Sequence, residues 1–106
     1  MHKMAIIFIN ELQNDPATLI TRCSEAVLQA NEKAGWSVRR KWNKDGRQKI
    51  VVHVLDKMTI MQLQENARKF GIAYYLLDGE QKDAILVVGP EESEKLNKLS
   101  ANLRLF

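Results

Sequence analysis

Short continuous apolar runs in this 106-residue chain predict four β-strands. Residues 4–9 are apolar and rich in β-branched side chains, which is typical of a strand buried on both faces in a largely parallel sheet. Residues 49–54 show the same pattern and predict a second buried strand, entered through the turn-forming pair Asp45 and Gly46. Residues 73–78 and 84–88 predict two more strands.

The connection between the third and fourth predicted strands is too short for a crossover. Parallel neighbours need a dozen or more connecting residues, whereas only residues 79–83 lie between these two strands. If they are neighbours, they therefore run antiparallel, and the sheet is mixed.

A first helix is predicted from Asp15, a capping residue, and Pro16, which suits the first helical position. Gly35 is expected to end this helix in a left-handed conformation. The helical stripe consists of Leu19, Ile20, Cys23, Ala26, Val27 and Ala30.

Two further helices follow the second and fourth strands. Thr59 and Gln62 have the spacing of a capping box, and Gly71 ends that helix. Leu63, Ala67 and Phe70 are predicted to share one face of this helix. Residues 89–92 are expected to begin a last helix, whose shared face holds Leu96, Leu99 and Leu103. The pattern as a whole predicts a small α/β sandwich on a mixed four-stranded sheet.

Length and composition indicate one soluble domain over residues 1–106. The longest apolar runs are far shorter than the roughly 20 residues of a membrane-spanning helix. One cysteine, Cys23, cannot form an internal disulfide, and the first residues lack the pattern of a secretory signal. The expected location is therefore cytoplasmic.

Positive charge is concentrated between Lys33 and Lys49, where seven cations accompany one acid, Asp45, although the whole chain carries only +3. Trp36 and Trp42 lie within the same segment. Lysine and arginine displace counterions from phosphates and aromatic faces stack on bases, so the pattern favours RNA as a partner. The candidate contacts are Arg39, Arg40, Lys41, Lys44, Arg47 and Lys49.

Two other interpretations of this segment stay open. One is a solvated loop whose two tryptophans turn inward into the core. The other is a non-catalytic interaction module, in which the surface around Trp36 and Trp42 docks a protein partner or a second copy of the chain as a homodimer.

Asp78 is the acid that the pattern places at the carboxyl ends of the parallel strands, where open α/β sheets bind ligands. The alternative is a turn residue ahead of Gly79. Thr18, Arg22 and Glu25 share a stripe of the first helix. Arg22 is interpreted as holding a phosphate or pairing with Asp78, or else as a surface partner of Glu25.

His53 and Cys23 are the other potentially reactive side chains, and the sequence gives neither of them a catalytic or metal-binding role. His53 lies in a predicted strand without a second ligand at metal spacing, and Cys23 lies on an apolar stripe, so both are interpreted as structural. The sequence has no glycine-rich phosphate loop and no G-x-S-x-G motif. No metal or other cofactor is expected.

Six segments, taken in order, carry a resemblance. They are the apolar first strand, Arg22-Cys23-Ser24-Glu25-Ala26, the pair Trp42 and Gly46 ahead of the second strand, the run from Leu63 through Gly71 to Asp78, residues 85–90, and Leu103-Arg104-Leu105. Together they resemble the type-2 peptidyl-tRNA hydrolase family over nearly the whole chain. The resemblance implies a three-layer α/β/α sandwich on a mixed four-stranded sheet. It also implies metal-independent cleavage of the ester between a peptide and the ribose of tRNA.

The chain departs from the family's signature K-x-x-x-Q-C-x-H, whose positions here hold Thr18, Arg22, Cys23 and Glu25. Only the cysteine is retained. Residues 10–17 contain no lysine, and the connection after Asp78 is shortened to residues 79–83. Asp78 itself matches the family.

Ester hydrolysis needs a positioned water, a base and donors aimed at the developing oxyanion. By resemblance, Asp78 would orient or deprotonate the water, while Arg22 and Thr18 occupy the positions of the family's glutamine and lysine. Glu25 adds negative charge where the oxyanion would form. We therefore expect a divergent member that binds tRNA or peptidyl-tRNA with weak or absent hydrolysis.

Overall fold

A mixed four-stranded sheet forms the centre of the protein, whose computed structural model describes residues 1–10, 15–78 and 83–100. The strands are β1 (His2–Asn10), β2 (Gln48–His53), β3 (Tyr74–Asp78) and β4 (Asp83–Glu92), in the order β2-β1-β4-β3. β1 pairs parallel with β2 and antiparallel with β4, and β3 pairs antiparallel with β4. The mixed sheet and the antiparallel β3–β4 pair are confirmed.

Helices cover both faces of this sheet. They are α1 (Pro16–Lys33), α2 (Trp36–Lys44), α3 (Lys57–Lys69) and α4 (Ser93–Asn97), with a 3₁₀ turn at Lys98–Ser100. α1 and α2 contribute to one apolar core, and α3 and α4 contribute to the other. This is the expected α/β/α sandwich.

The central strand β1 supplies both cores because side chains alternate across a strand. Met4 and Ile6 pack with Ala26, Ala30 and Trp42 under α1 and α2. The alternate positions Ala5, Ile7 and Ile9 pack under α3 and α4. A strand that is buried on both faces has a continuous apolar sequence, which is why β1 was recognisable from sequence.

The start of α1 is as predicted, but its end is not. Asp15 accepts a hydrogen bond from the backbone N–H of Thr18 at 2.7 Å, and Pro16 is the first helical residue. Gly35 is not left-handed, since its φ is −65°. It instead caps the start of α2, where its carbonyl accepts from the N–H of Arg39, a role that glycine also suits.

The start of α3 was predicted too late in the chain. Asp56 is the capping residue, and its carboxylate accepts from both the backbone N–H and the hydroxyl of Thr59. Gly71 is left-handed, with a φ of 68°, and ends the helical segment as predicted. Because the chain turns there, Phe70 is exposed while Leu63 and Ala67 are buried, and Ile72 enters the core instead, so the prediction that Phe70 shares their face is wrong.

Residues 89–92 do not begin a helix. They are the last part of β4, where Glu91 and Glu92 pair with Lys3 and His2 of β1, and α4 begins only at Ser93. The long-range strand pairing overrides the local helix-start pattern. Leu96 and Leu99 are buried as predicted, whereas Leu103, like the segment Leu103-Arg104-Leu105, lies outside the described residues.

β2 is an edge strand and not a strand buried on both faces. Ile50 and Val52 pack against the core under α3, whereas Lys49, Val51 and His53 on the other face are exposed. The prediction of a second doubly buried strand is therefore wrong, because an apolar run does not distinguish an edge position from a central one.

The two tryptophans provide a matched test of this fold. Trp42 is only 4% exposed and Trp36 is 71% exposed. We expect Trp42→Ala to lower the free energy of unfolding by roughly 3–5 kcal/mol, because it leaves a large cavity, and Trp36→Ala to change it by no more than about 0.5 kcal/mol. Urea unfolding followed by circular dichroism measures both, and equal losses in the two variants would contradict the packing.

Candidate functional site

The carboxyl ends of three strands lie at one edge of the sheet, here called the carboxyl edge. β1, β2 and β3 run in the same direction, since β3 and β1 are both antiparallel to β4. Asp78 ends β3 at this edge, and Lys57 begins α3 there. The Lys57 ammonium lies 2.6 Å from the Asp78 carboxylate, and both side chains are partly exposed.

The three predicted catalytic residues do not lie on one side of the sheet. Asp78 is two and four residues beyond Leu76 and Tyr74, which pack in the core under α3, so its side chain leaves the sheet on that side. Arg22 and Thr18 belong to α1, which covers the opposite face. The ion-pair partner of Asp78 is therefore Lys57 and not Arg22, so the interpretation of Arg22 as that partner is wrong.

Lys57 is a residue that sequence reasoning missed. A signal for it was present, because the helix that follows β2 must begin at the same edge where β3 ends. The incorrect start assigned to α3 hid this, since it placed Lys57 in a loop ahead of the helix.

The predicted nucleic-acid contacts form a second region on and beside α2. We call Arg39, Arg40, Lys41, Lys44, Arg47 and Lys49 the basic surface. Arg39 is half-buried and the other five are exposed. The segment is helical through Lys44, so the alternative of a solvated loop is wrong for most of its length.

Trp42 anchors the helix that carries these cations. Its side chain is buried against Met4 and Ile6 of β1 and their neighbours, and its indole N–H donates to the carbonyl of Gln48 at 2.9 Å. The Lys49 ammonium lies 5.3 Å from the centre of its ring. The inward-facing alternative therefore holds for Trp42.

Trp36 has the opposite environment, at the start of α2. It is exposed, and the Arg40 guanidinium lies 5.3 Å from its ring centre, which is cation–π distance. Arg47 donates from its Nε to Asn43 at 2.9 Å. Two of the six cations are thus held by aromatic rings and one by an amide, which positions their charges on the surface.

The basic surface and the Lys57–Asp78 pair lie at opposite ends of the sheet. α2 ends beside the first residues of β1 and β2, whereas Asp78 is at the carboxyl edge. β2 has six residues, so about 17 Å of strand separates its two ends. A ligand that contacts both regions must be an extended molecule.

Asp45 is the one acid within the basic segment, and it is engaged by the backbone. Its carboxylate accepts from the N–H of His2 at 2.7 Å, and the imidazole Nδ1 of His2 is 3.5 Å away. The hydrogen bond from the His2 backbone lowers the pKa of Asp45, and partial desolvation opposes this to a smaller extent. The acid thus fastens the end of α2 to β1.

Cys23 and His53 keep no reactive role in this arrangement. Desolvation raises the pKa of the Cys23 thiol more than neighbouring Arg22 lowers it, so the less nucleophilic protonated form is favoured. His53 is exposed, and its ring stacks on Phe8 with centroids 4.9 Å apart and an interplanar angle of 22°.

Two kinds of feature are absent from the described ranges, residues 1–10, 15–78 and 83–100. They contain no group of three or more His, Cys, Asp or Glu side chains that could hold a metal ion. No helix within them is both long and apolar enough to cross a membrane. Residues 11–14 of the loop expected to carry the family's lysine, and residues 79–82 of the shortened connection, lie outside these ranges.

Comparisons with known proteins match this chain to peptidyl-tRNA hydrolases. The family described as peptidyl-tRNA hydrolase PTH2 matches residues 2–106. A putative peptidyl-tRNA hydrolase of fowlpox virus is 24% identical, covering 98% of this chain and 89% of its own length. A peptidyl-tRNA hydrolase of Methanococcus maripaludis strain C6 is 24% identical over the full length of both chains. The mitochondrial peptidyl-tRNA hydrolase 2 of Bos taurus is 23% identical over 99% of this chain, which spans 64% of that protein's length.

The contact between Asp45 and His2 predicts acid sensitivity. A carboxyl group whose pKa is lowered by folding stabilises the folded state above its unfolded pKa, and this contribution is lost as the pH falls through the folded pKa. We therefore expect Asp45→Asn to be less stable than wild type at pH 6, with the difference shrinking below about pH 4. Urea midpoints across pH measure it, with Glu32→Gln on the exposed side of α1 as the control. A difference that stays constant down to about pH 2 would contradict the assignment.

Proposed function

Because the chain belongs to the peptidyl-tRNA hydrolase PTH2 family, we propose that it binds tRNA or peptidyl-tRNA through the basic surface and hydrolyses the ester weakly or not at all. The proposal that it binds RNA rests on one observation: six cations lie beside an exposed tryptophan. Four of them are on α2, and the other two are on the turn and the strand that follow it. The half concerning hydrolysis rests on the separation of Asp78 from Arg22 and Thr18.

The location of the charge supports a nucleic-acid partner. The rest of the chain is net acidic, since the whole carries only +3 while the segment from Lys33 to Lys49 has seven cations and one acid. Each cation that neutralises a phosphate releases counterions, which favours association most at low salt. Trp36 adds an exposed ring on which an unpaired base can stack. A polyanion with bases matches this combination better than a neutral protein surface does.

An extended substrate suits two regions at opposite ends of the sheet. β2, which carries Lys49 near one end and reaches the carboxyl edge at the other, is about 17 Å long. At roughly 3.4 Å per nucleotide along one strand, this length corresponds to about five nucleotides. A tRNA whose backbone lies on the basic surface is long enough to reach the carboxyl edge along β2.

Several features favour weak hydrolysis. Asp78, the residue that would handle water, is bound to the Lys57 ammonium at 2.6 Å. Thr18 is exposed, and Glu25 accepts from the side-chain amide of Gln29 at 3.0 Å where the family has a histidine. Losing one oxyanion donor commonly costs a factor of about 10² to 10³ in rate. Lys57 places a cation beside Asp78, but it replaces only one of the groups that the signature supplies.

The second candidate function is an interaction module that docks a protein or a second copy. One observation favours it, the 71% exposure of Trp36. Trp42 is in the core and contributes no docking surface, so half of the aromatic pair on which this alternative depended is removed. Light scattering that shows a dimer in the absence of RNA would support it.

Binding is tested by a pair of double variants that remove the same charge. Arg40→Gln/Lys41→Gln changes the basic surface, and Lys69→Gln/Lys98→Gln removes two cations from the side of α3 and α4. We expect the first to weaken tRNA binding. It should also reduce the slope of log affinity against log salt by up to about 1.8, that is about 0.9 for each phosphate that is no longer neutralised.

The second double variant should bind as wild type does. Filter binding across a salt series measures both. Equal affinities and slopes for wild type and Arg40→Gln/Lys41→Gln would remove the basic surface from the binding site.

Hydrolysis is tested by release of a labelled N-blocked aminoacyl group from tRNA. The Methanococcus maripaludis relative, named a peptidyl-tRNA hydrolase, serves as the positive control. We expect turnover at least about 100-fold slower than that of the relative. The glutamine and histidine of the signature are both replaced here, and the loss of a single oxyanion donor already lowers the rate by a factor of about 100 or more. Comparable turnover that vanishes in both Asp78→Asn and Arg22→Ala would instead establish an active enzyme with a rearranged site.

A further inference from the structure

The exposed face of β2 carries an aromatic stack and a groove that neither candidate function uses. His53 and Phe8 are neighbours across the parallel β1–β2 pair, and their rings stack with centroids 4.9 Å apart. Phe8 also lines a groove of about 530 Å³ between α1 and β2. His53 ends β2 at the carboxyl edge, and Lys49 lies at the other end of the same face.

The groove exists because α1 leaves β2 uncovered. The predicted helical stripe included Ile20, but that side chain is 65% exposed and forms part of the groove wall with Leu28. Val51, in the middle of β2, is also 65% exposed. Exposed apolar side chains that surround one concavity mark a binding site more often than scattered ones do.

The polar groups of this groove are few and lie at particular places. Its lining is apolar except for Ser24 on α1 and Lys49 on β2. Lys49 belongs both to the basic surface and to the lining of the groove, so the two regions meet at this residue. An occupant that matches this lining presents a negative charge at Lys49 and flat or apolar groups to the surface beyond it, and directs any further charge to solvent.

We propose that the exposed face of β2, from Lys49 to the Phe8–His53 stack, binds the unpaired end of an RNA whose paired part lies on the basic surface. This inference rests on the proposed function and names the subsite that leads toward the carboxyl edge. A phosphate contacts Lys49, and an unpaired base stacks on the His53 ring, which Phe8 supports from the other side.

The dimensions agree with a short single strand. Lys49 and His53 are four residues apart along β2, which is about 13 Å. Stacked nucleotides spaced by roughly 3.4 Å fill this length with about four residues. Because the groove offers almost no hydrogen-bonding groups, it selects bases by their stacking surface and not by their edges, so purines should bind better than pyrimidines.

The test compares two RNA hairpins, one with an unpaired 3′ tail and one with a blunt end. We expect wild type to bind the tailed hairpin more tightly. His53→Ala should weaken binding of the tailed hairpin by about tenfold, as removal of one stacking partner does, and should leave the blunt hairpin unchanged. His53→Phe should restore tail binding because it retains an aromatic ring, and Phe70→Ala, at an exposed aromatic on the α3 side, should behave as wild type.

A fluorescent 2-aminopurine at the last tail position gives a second readout. Its emission should be quenched on binding to wild type and His53→Phe but not to His53→Ala. Equal binding of both hairpins by wild type, or no effect of His53→Ala on the tail, would overturn the subsite while leaving the basic surface intact. Absence of binding to either hairpin would overturn the proposed function itself. Displacement of the tail by an apolar peptide would identify the groove as a peptide site and would also overturn the assignment.

Discussion

The burial of Trp42 and its hydrogen bond to Gln48 are the interaction on which the functional surface depends. A helix with four cations among nine residues has little reason to form on its own. The indole fills the space over β1, and its N–H donates to the start of β2. Asp45 adds a second attachment through the backbone of His2. These two contacts turn a segment that resembles a solvated loop into a fixed array of charges.

The pairing of β1 with both β2 and β4 determines where everything else lies. Because β1 is central and β2 is parallel to it, the carboxyl ends of β1, β2 and β3 share one edge. The Lys57–Asp78 pair forms at that edge, and α2 is placed at the other. β2 connects the two as an edge strand with one open face. A long charged ligand can therefore follow the open face of β2 from the cations at one end to the Phe8–His53 stack at the carboxyl edge, whereas Asp78 lies at the far strand of the sheet and on its other face.

The sequence was most informative where local pattern and tertiary environment agreed. β1 and the cap at Asp15 follow from apolar runs and capping chemistry that need no distant partner. The failures came from distant contacts. Residues 89–92 look like a helix start but pair with β1, and β2 looks buried but lies at the sheet edge.

The helix α2 was missed because its apolar face is little more than Val38 and Trp42, one turn apart, among charged neighbours. The candidate site residues follow the same rule. Asp78 and the basic residues could be identified from the sequence by residue type. Lys57 could be identified only from the fold, which places the start of α3 beside the end of β3.

A map of the RNA-binding face by ¹⁵N–¹H chemical shifts during titration with tRNA tests these relationships most directly. We expect the largest changes at the indole N–H of Trp36, at the backbone amides of α2 and at Lys49 through His53. The amides of α3 and α4 beyond Lys57 should change little. Largest changes at Phe70, Lys69 and Lys98 on the opposite face would contradict the proposed binding surface.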